Sequence, residues 1–141
     1  MKYIMEKPVK AIIGEQKYKT SIHWRNGEFI TDEPEKIEGK DLGPDPHTLL
    51  LSSLVACTAA TLRMYIDHKK LNIPEITVEA NLGQRINSRT GEITTRIDKS
   101  ISFGDTEVDD KLKQRRIEIS GSCPISKILK GNVTIETPDD Q

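Results

Sequence analysis

The feature that most constrains this chain is an apolar stretch at residues 43–70, GPDPHTLLLSSLVACTAATLRMYIDHKK. Its first four residues, Gly-Pro-Asp-Pro, are turn formers that end whatever precedes them. A run with almost no charge then continues to Leu62, and charge resumes at Arg63. A segment this apolar in an otherwise polar chain predicts the core element, with Cys57 near its middle.

The spacing of apolar residues in this stretch predicts a helix that is buried on more than one side. One predicted face is formed by Leu50, Leu54, Cys57, Thr61 and Met64. The neighbouring face is formed by Leu51, Val55, Thr58 and Leu62. Asp45 is a candidate cap and Pro46 suits the first turn. One face would pack on a sheet and the other, in so small a protein, on a second copy of the chain.

Composition limits the classes of function. The chain has 141 residues, which suits one domain over residues 1–141. Its formal net charge is -1 and aromatic residues make up 4%, so neither a basic surface nor a stacking surface for nucleic acid is indicated. The N-terminus lacks the apolar region of a signal peptide. The apolar run is shorter than the roughly 20 residues that span a bilayer, so we expect a soluble, cytoplasmic protein without a membrane partner.

In the rest of the chain, apolar and polar residues alternate as they do in strands, or apolar residues recur at helical spacing. Strands are predicted at residues 2–12, 18–24, 28–31, 76–82, 92–103 and 133–137, and helices at 106–118 and 125–130. The 106–118 helix would be capped by Thr106. A long polar connection covers residues 32–46, and loops of that length in compact domains are usually functional. Hairpins give mostly antiparallel pairing, so the fold class is α+β.

The chain has two cysteines, Cys57 and Cys123, which lie 66 residues apart. By pattern alone, Cys57 is more typical of a small buried hydrophobic residue than of a reactive thiol. Cys123 precedes Pro124 at a predicted helix start, where unpaired N–H groups stabilise a thiolate and lower its pKa. It could simply be a capping residue, although its neighbour Ser122 would cap better.

If the two thiols meet in the fold, they could perform redox chemistry without a cofactor. A thiolate that attacks a peroxide becomes a sulfenic acid, and a second thiol then closes a disulfide. The competing interpretation is a metal site made by both cysteines and one of His23, His47 or His68. No CxxC or HxxxH spacing supports a metal.

Both cysteine segments resemble those of the OsmC/Ohr family. The stretch at residues 43–70 is similar to the family's central helix, and its LRMY ending is similar to an OsmC-like branch. SCPISKIL at residues 122–129 resembles the second cysteine segment. The resemblance implies an OsmC-like fold, with antiparallel sheets around long central helices in an intertwined homodimer. It also implies reduction of organic hydroperoxides, with Cys57 as the peroxidatic thiol, Cys123 as the resolving thiol and an external dithiol as reductant.

The chain departs from the family pattern around the first thiol. Family members carry a glutamate ten residues before the first cysteine, as part of a Glu–Arg arrangement, and His47 stands there in this chain. Ten helical residues rise about 15 Å, so we expect His47 to be either a polar group of the partner's site or a solvent-exposed histidine. Arg25 and Arg63 are candidates for the missing arginine, although Arg25 is more typical of a turn and Arg63 should point away from Cys57.

Two classes of function therefore stay open. The first is a thiol-dependent peroxidase for organic hydroperoxides that acts in oxidative or osmotic stress defence, with Cys57, Cys123 and His47 as candidate catalytic residues. The second is a non-catalytic OsmC-like protein that binds an apolar small ligand and carries its thiols incidentally.

Overall fold

A computed structural model describes residues 2–138 of the chain. Five strands, one short 3₁₀ helix and three α-helices follow one another in this part of the chain. They form two compact units, one ending at Leu50 and the other beginning at Leu51. The architecture is α+β with antiparallel sheets, as predicted. That residues 1–141 behave as one domain stays a prediction.

The first unit is built on a three-stranded antiparallel sheet in the order β1-β2-β3. Its strands are β1 (Lys10–Ile13), β2 (Thr20–Trp24) and β3 (Gly27–Thr31). The predicted first strand at residues 2–12 is too long at its start. Lys10 pairs with His23, one residue from the end of β2, so the residues before Val9 have no strand of this sheet opposite them.

A buried aspartate closes the connection between β3 and the long helix. The Asp32 carboxylate accepts hydrogen bonds from the backbone N–H groups of Glu33 at 2.8 Å, Lys40 at 3.3 Å and Leu42 at 3.3 Å. The chain returns so close to β3 that a Cβ on Gly43 would lie 2.1 Å from the Ile30 carbonyl oxygen. The connection is therefore an ordered turn built around one carboxylate.

Helix α1 (Pro46–His68) is the central helix that the sequence predicts. Asp45 caps it by accepting the Thr48 N–H at 2.9 Å. The buried positions repeat every four residues, at Leu54, Thr58, Leu62 and Ile66. The other predicted face is only partly correct, because Leu50 is 39% exposed and Met64 is 73% exposed. Those two positions follow the helical period, but their side chains remain exposed in the described part of the chain.

Helix α1 is the one helix of the described residues that is long and apolar enough to cross a membrane, judged by length and composition. It has 23 residues, because its first turn and its charged end extend the apolar run on both sides. The helix is therefore longer than the apolar run on which the sequence-based estimate rested. Core helices of soluble proteins meet the same test, so the length alone assigns no membrane.

The second unit packs a long hairpin with helices. Strands β4 (Thr77–Ile86) and β5 (Ile93–Ser102) pair antiparallel from Thr77↔Ser102 to Ile86↔Ile93. Helices α2 (Asp110–Gly121) and α3 (Pro124–Lys130) follow. The core consists of Ile66, Ile73 and Phe103, with partly buried neighbours Tyr65, Ile76, Ile101, Val108 and Leu112.

Two predictions in this unit need correction. Helix α2 starts later than predicted, because Asp109 rather than Thr106 caps it by accepting the Leu112 N–H at 2.8 Å. The predicted strand at residues 133–137 is wrong, since it joins neither of the sheets of the described chain. Its alternation of Val133 and Ile135 fits a strand, but both side chains are exposed and no strand of the second unit lies alongside to supply hydrogen bonds.

Replacing Asp32 by asparagine should destabilise the first unit. Burial alone would raise the pKa of Asp32, but hydrogen bonds from the N–H groups of Glu33, Leu42 and Lys40 outweigh it and lower the pKa. The carboxylate therefore stabilises the fold above its ordinary pKa of 3.8, and this contribution is lost as the pH falls through the lower folded-state value.

We expect D32N to lower Tm by several degrees at neutral pH, because an amide presents one acceptor where three N–H groups converge. The difference from wild type should narrow as the pH falls from about 5 toward 3. Thermal unfolding followed by circular dichroism measures both effects. Asp41→Asn, in the same connection, is the matched control, and equal Tm values for D32N and wild type would contradict the proposed role of the carboxylate.

Candidate functional site: a buried thiol cluster

Cys123 caps helix α3 with its own sulfur. The Ser126 backbone N–H donates to Cys123 Sγ at 3.3 Å, and Ser126 Oγ lies 3.1 Å from the same sulfur. Pro124 occupies the first turn, as predicted. Ser122 does not compete for this role, because its hydroxyl donates to the Ile119 carbonyl at 2.7 Å. The cysteine is therefore a capping residue whose sulfur accepts the Ser126 N–H, while its thiol proton is directed at Ser126 Oγ.

The Cys123 sulfur is completely buried, and α1 covers it. Thr58 Oγ1 of α1 lies 3.7 Å from Cys123 Sγ, and Thr58 is itself fully buried. Both cysteines are free thiols. Cys57, the neighbour of Thr58, is half-buried, so it is the more accessible of the two.

The environment lowers the pKa of Cys123 to about 7, from an ordinary value of 9.0. Burial is the largest single influence and acts in the opposite direction, since it raises the pKa. Hydrogen bonds from the Ser126 side chain and backbone, then from Thr58 and Cys57, outweigh it. Cys57 is among these groups, so its side chain lies near the Cys123 sulfur.

A lysine that the sequence analysis missed completes the cluster. Lys99 Nζ donates to Thr58 Oγ1 at 3.0 Å, to the Ser120 carbonyl at 3.1 Å and to Ser126 Oγ at 3.4 Å. Burial lowers the pKa of Lys99, and the negative charge of Cys123 opposes that shift. Lys99 thus places a cation beside the thiols.

The signal for Lys99 was present in the alternation of β5. Its inward positions are Ile97, Lys99 and Ile101, each half-buried, while the residues between them are exposed. A lysine at an inward position of an otherwise apolar face needs a buried partner. Which partner it meets depends on the packing of α1, α2 and α3, which the strand pattern does not contain.

The other predicted site residues lie apart from these contacts. His47 is exposed in the first turn of α1, beside Asp45. Arg25 lies over the Trp24 ring, 5.4 Å from its centroid, which fits a turn residue. Arg63 pairs with Asp67 at 3.3 Å and also donates to the Ile73 carbonyl at 2.9 Å. Arg63 therefore ties the end of α1 to the following loop.

Within residues 2–138, no group of three His, Cys, Asp or Glu side chains is arranged to hold a metal ion. The buried side-chain nitrogen and oxygen atoms of the same residues all have hydrogen-bond partners. The cluster is thus a satisfied network of one cation, hydroxyl groups and two thiols. Its chemistry is that of the sulfur atoms.

Comparison with known proteins identifies the class. The sequence model of the family described as OsmC-like protein matches residues 39–138, which include both cysteines. The chain therefore belongs to the OsmC-like family, and the predicted OsmC/Ohr resemblance is confirmed. In this fold α1 is the central core helix. A search of curated proteins gave no match.

Solved structures with the same fold include proteins of known and unknown role. An OsmC-like protein from Mycoplasma pneumoniae is 22% identical, with a TM-score of 0.67 and 90% of each chain covered. An organic hydroperoxide resistance protein from Elizabethkingia anophelis is 25% identical, with a TM-score of 0.65, 94% of this chain and 93% of the other covered. OhrB of Bacillus subtilis, also an organic hydroperoxide resistance protein, is 19% identical, with a TM-score of 0.63, 89% of this chain and 90% of the other covered.

The lowered pKa of Cys123 should make folding stability depend on pH. Below pH 7 the thiol is protonated in both the folded and the unfolded chain, so its ionisation adds no stability. Between about 7 and 9.0 only the folded chain is ionised, and the stability gained is complete above the unfolded value. We expect the urea midpoint to rise across this range under reducing conditions.

Cys123→Ala should abolish this rise. Urea unfolding of wild type and variant at matched pH values, with reductant present, measures the difference. Cys57→Ser keeps Cys123 and is the control, which should retain most of the rise. A rise of the same size in wild type and Cys123→Ala would show that Cys123 is not ionised in the folded protein.

Proposed function

We propose that this protein is a thiol-dependent peroxidase that reduces organic hydroperoxides through Cys57 and Cys123. The observation that carries the proposal is the meeting of two free thiols at one site, where one sulfur has its pKa lowered to about 7. Family membership and the hydroperoxide resistance proteins that share the fold support a redox role in stress defence.

The exposures of the two sulfurs support a division of labour. Cys57 is half-buried whereas Cys123 is fully buried, so Cys57 is the thiol that a peroxide reaches. Its thiolate attacks the distal oxygen of ROOH, the O–O bond breaks, and the alkoxide leaves and takes a proton as ROH. Cys57 is thereby oxidised to sulfenic acid.

Cys123 then completes the cycle. Its thiolate attacks the Cys57 sulfur, an S–S bond forms, and hydroxide leaves and is protonated to water. An external dithiol returns both cysteines to thiols by exchange. The sum is one hydroperoxide and one dithiol converted to one alcohol, one water and one disulfide. No cofactor or metal enters the cycle, and we place it in the cytoplasm, where such reductants keep thiols reduced.

A homodimer is part of the proposal. Several exposed positions of α1 near Cys57 are small or apolar, namely Ala56, Ala60 and Met64. Exposed apolar surface of this kind marks an interface, and a second copy of α1 would cover it. The same apolar surroundings favour an organic hydroperoxide over hydrogen peroxide as substrate.

One equivalent of cumene hydroperoxide should oxidise the reduced wild-type protein rapidly. Mass spectrometry should show a loss of about 2 Da, because two thiols become a disulfide. Cys123→Ser should instead gain about 16 Da as a sulfenic acid that dimedone traps. Cys57→Ser should react slowly, because its remaining thiol, Cys123, is fully buried.

The same experiment separates the peroxidase from a non-catalytic binding protein. Hydrogen peroxide in place of cumene hydroperoxide should react more slowly if the apolar surroundings select the substrate. Survival of both thiols in a small excess of cumene hydroperoxide for many minutes would exclude the peroxidase and leave the binding protein.

His47 is proposed to act at the partner's site. It stands where family members carry a glutamate, and its side chain is exposed in the first turn of α1. We expect His47→Ala to slow Cys57 oxidation about a hundredfold, the lower end of the range for loss of a general acid or base. His68→Ala, at the other end of α1, is the matched control and should react as wild type.

Subunit mixing distinguishes action in trans from action in cis. Neither Cys57→Ser nor His47→Ala alone has a full site. After subunit exchange, half the dimers are mixed and each has one complete site, so about a quarter of the wild-type sites should return. No recovery on mixing, with exchange confirmed by native mass spectrometry, would place His47 outside the partner's site.

A further inference from the structure

Lys99 is an unusual residue to find in this cluster, because its ammonium is half-buried and has no carboxylate partner among the contacts of the described residues. We propose that Lys99 stabilises the Cys123 thiolate through two hydroxyl groups, those of Thr58 and Ser126. Lys99 is thus a positioning residue that acts on the sulfur through other groups. The part of the proposal that concerns reaction rate rests on the proposed function, whereas the electrostatic part does not.

The hydrogen bonds of Lys99 identify it as an ammonium. Its nitrogen donates to three acceptors: Thr58 Oγ1, the Ser120 carbonyl and Ser126 Oγ. An ammonium has three N–H groups and uses all of them here. A neutral amine has two, so it would need one of the two hydroxyl groups to donate to its lone pair. The geometry therefore fits the charged form and brings one positive charge into the cluster.

The two hydroxyl groups then carry the influence of that charge to the sulfur. Each hydroxyl oxygen accepts from Lys99, so its proton is available for another acceptor. Cys123 Sγ lies 3.7 Å from Thr58 Oγ1 and 3.1 Å from Ser126 Oγ. With the Ser126 backbone N–H at 3.3 Å, three hydrogen-bonding groups surround one sulfur. In the thiol form Cys123 donates to Ser126 Oγ, whose own proton goes to the Ser120 carbonyl at 3.4 Å. A thiolate accepts all three, and a thiol must present its own proton among them.

The charged and titratable groups around this sulfur are few. Cys57 faces it from α1, and Lys99 reaches it from β5. Lys130, at the end of α3, acts on Lys99 by repulsion and favours its neutral form. Lys130 is exposed, so solvent screens its effect. Lys99 is therefore the cation that favours the thiolate from inside the cluster.

A role for Lys99 in the reaction follows from the chemistry of disulfide formation. The rate at which a thiol closes a disulfide depends on the fraction present as thiolate. In the proposed cycle, Lys99 acts on Cys123, so it should speed the closing of the disulfide. The preceding attack of Cys57 on the peroxide should depend on it much less.

The direct test is a titration of Cys123 that needs no peroxide. In a Cys57→Ser background, thiolate absorbance at about 240 nm is followed against pH. With Lys99 present we expect a midpoint near 7. Lys99→Met keeps the length of the side chain and removes its charge. It should raise the titration midpoint of Cys123 by about one pH unit or more, which means about tenfold less thiolate at a pH well below the midpoint.

Three further variants keep this test decisive. Lys99→Arg keeps the charge and should restore part of the shift. Thr58→Val keeps the shape of Thr58 and removes one of the two hydroxyl groups between Lys99 and the sulfur, so it should also raise the titration midpoint of Cys123. This variant decides the question if Lys99→Met does not fold. Lys111→Met, on the exposed side of α2, is the control and should titrate as its parent. Unchanged midpoints in folded Lys99→Met, or in Thr58→Val, would overturn the proposal.

A second measurement tests the consequence for the rate. With both cysteines present, Lys99→Met should form the Cys57 sulfenic acid as fast as wild type and close the disulfide about tenfold more slowly. Rapid quenching with dimedone counts the sulfenic acid over time. A disulfide that closes at the wild-type rate would contradict the role in catalysis. If peroxide oxidises neither cysteine, the peroxidase function fails while the titration still decides the role of Lys99.

Discussion

The hydrogen bonds between Lys99, two hydroxyl groups and the Cys123 sulfur hold the second unit together at the point where its chemistry lies. Four elements contribute to it: Thr58 comes from α1, Lys99 from β5, the Ser120 carbonyl from α2 and Ser126 from α3. A buried polar network is stable only when its members are satisfied. Here every member has a partner, so packing of the helices on the hairpin and formation of the site are one event.

This arrangement resolves a conflict between two demands on the thiols. Burial protects Cys123 from solvent but raises its pKa, which would leave it protonated and slow. Hydroxyl and N–H donors overcome that effect and bring the pKa to about 7. Cys57 remains half-buried beside it, within reach of a substrate. In the proposed cycle the Cys123 thiolate closes the disulfide, and Lys99 supplies a positive charge near it.

The errors of the sequence analysis share a physical cause. The strand predicted at residues 133–137 has the right alternation, but a strand also needs a neighbour to complete its hydrogen bonds, and its chain provides none in the described residues. The helix that was predicted to begin at Thr106 is capped by Asp109 instead. The Asp109 carboxylate is the stronger acceptor, and it accepts the N–H of Leu112, three residues further on. Leu50 and Met64 follow the helical period of α1 yet remain exposed. Period alone identifies a face, and only packing determines whether something covers it.

The sequence by itself determined the order of the strands and α-helices as far as α3, the central helix with its Asp45 cap, the capping position of Cys123 and the family. These features depend on the spacing and the chemistry of residues that are close in the sequence, so they can be predicted without the structure. Only the tertiary structure brings Cys57 near Cys123 and Lys99 into contact with Thr58 and Ser126. Those contacts join residues far apart in the chain, Lys99 and Thr58 being 41 positions apart. No local pattern encodes such a distance, because it results from how the helices pack on the hairpin.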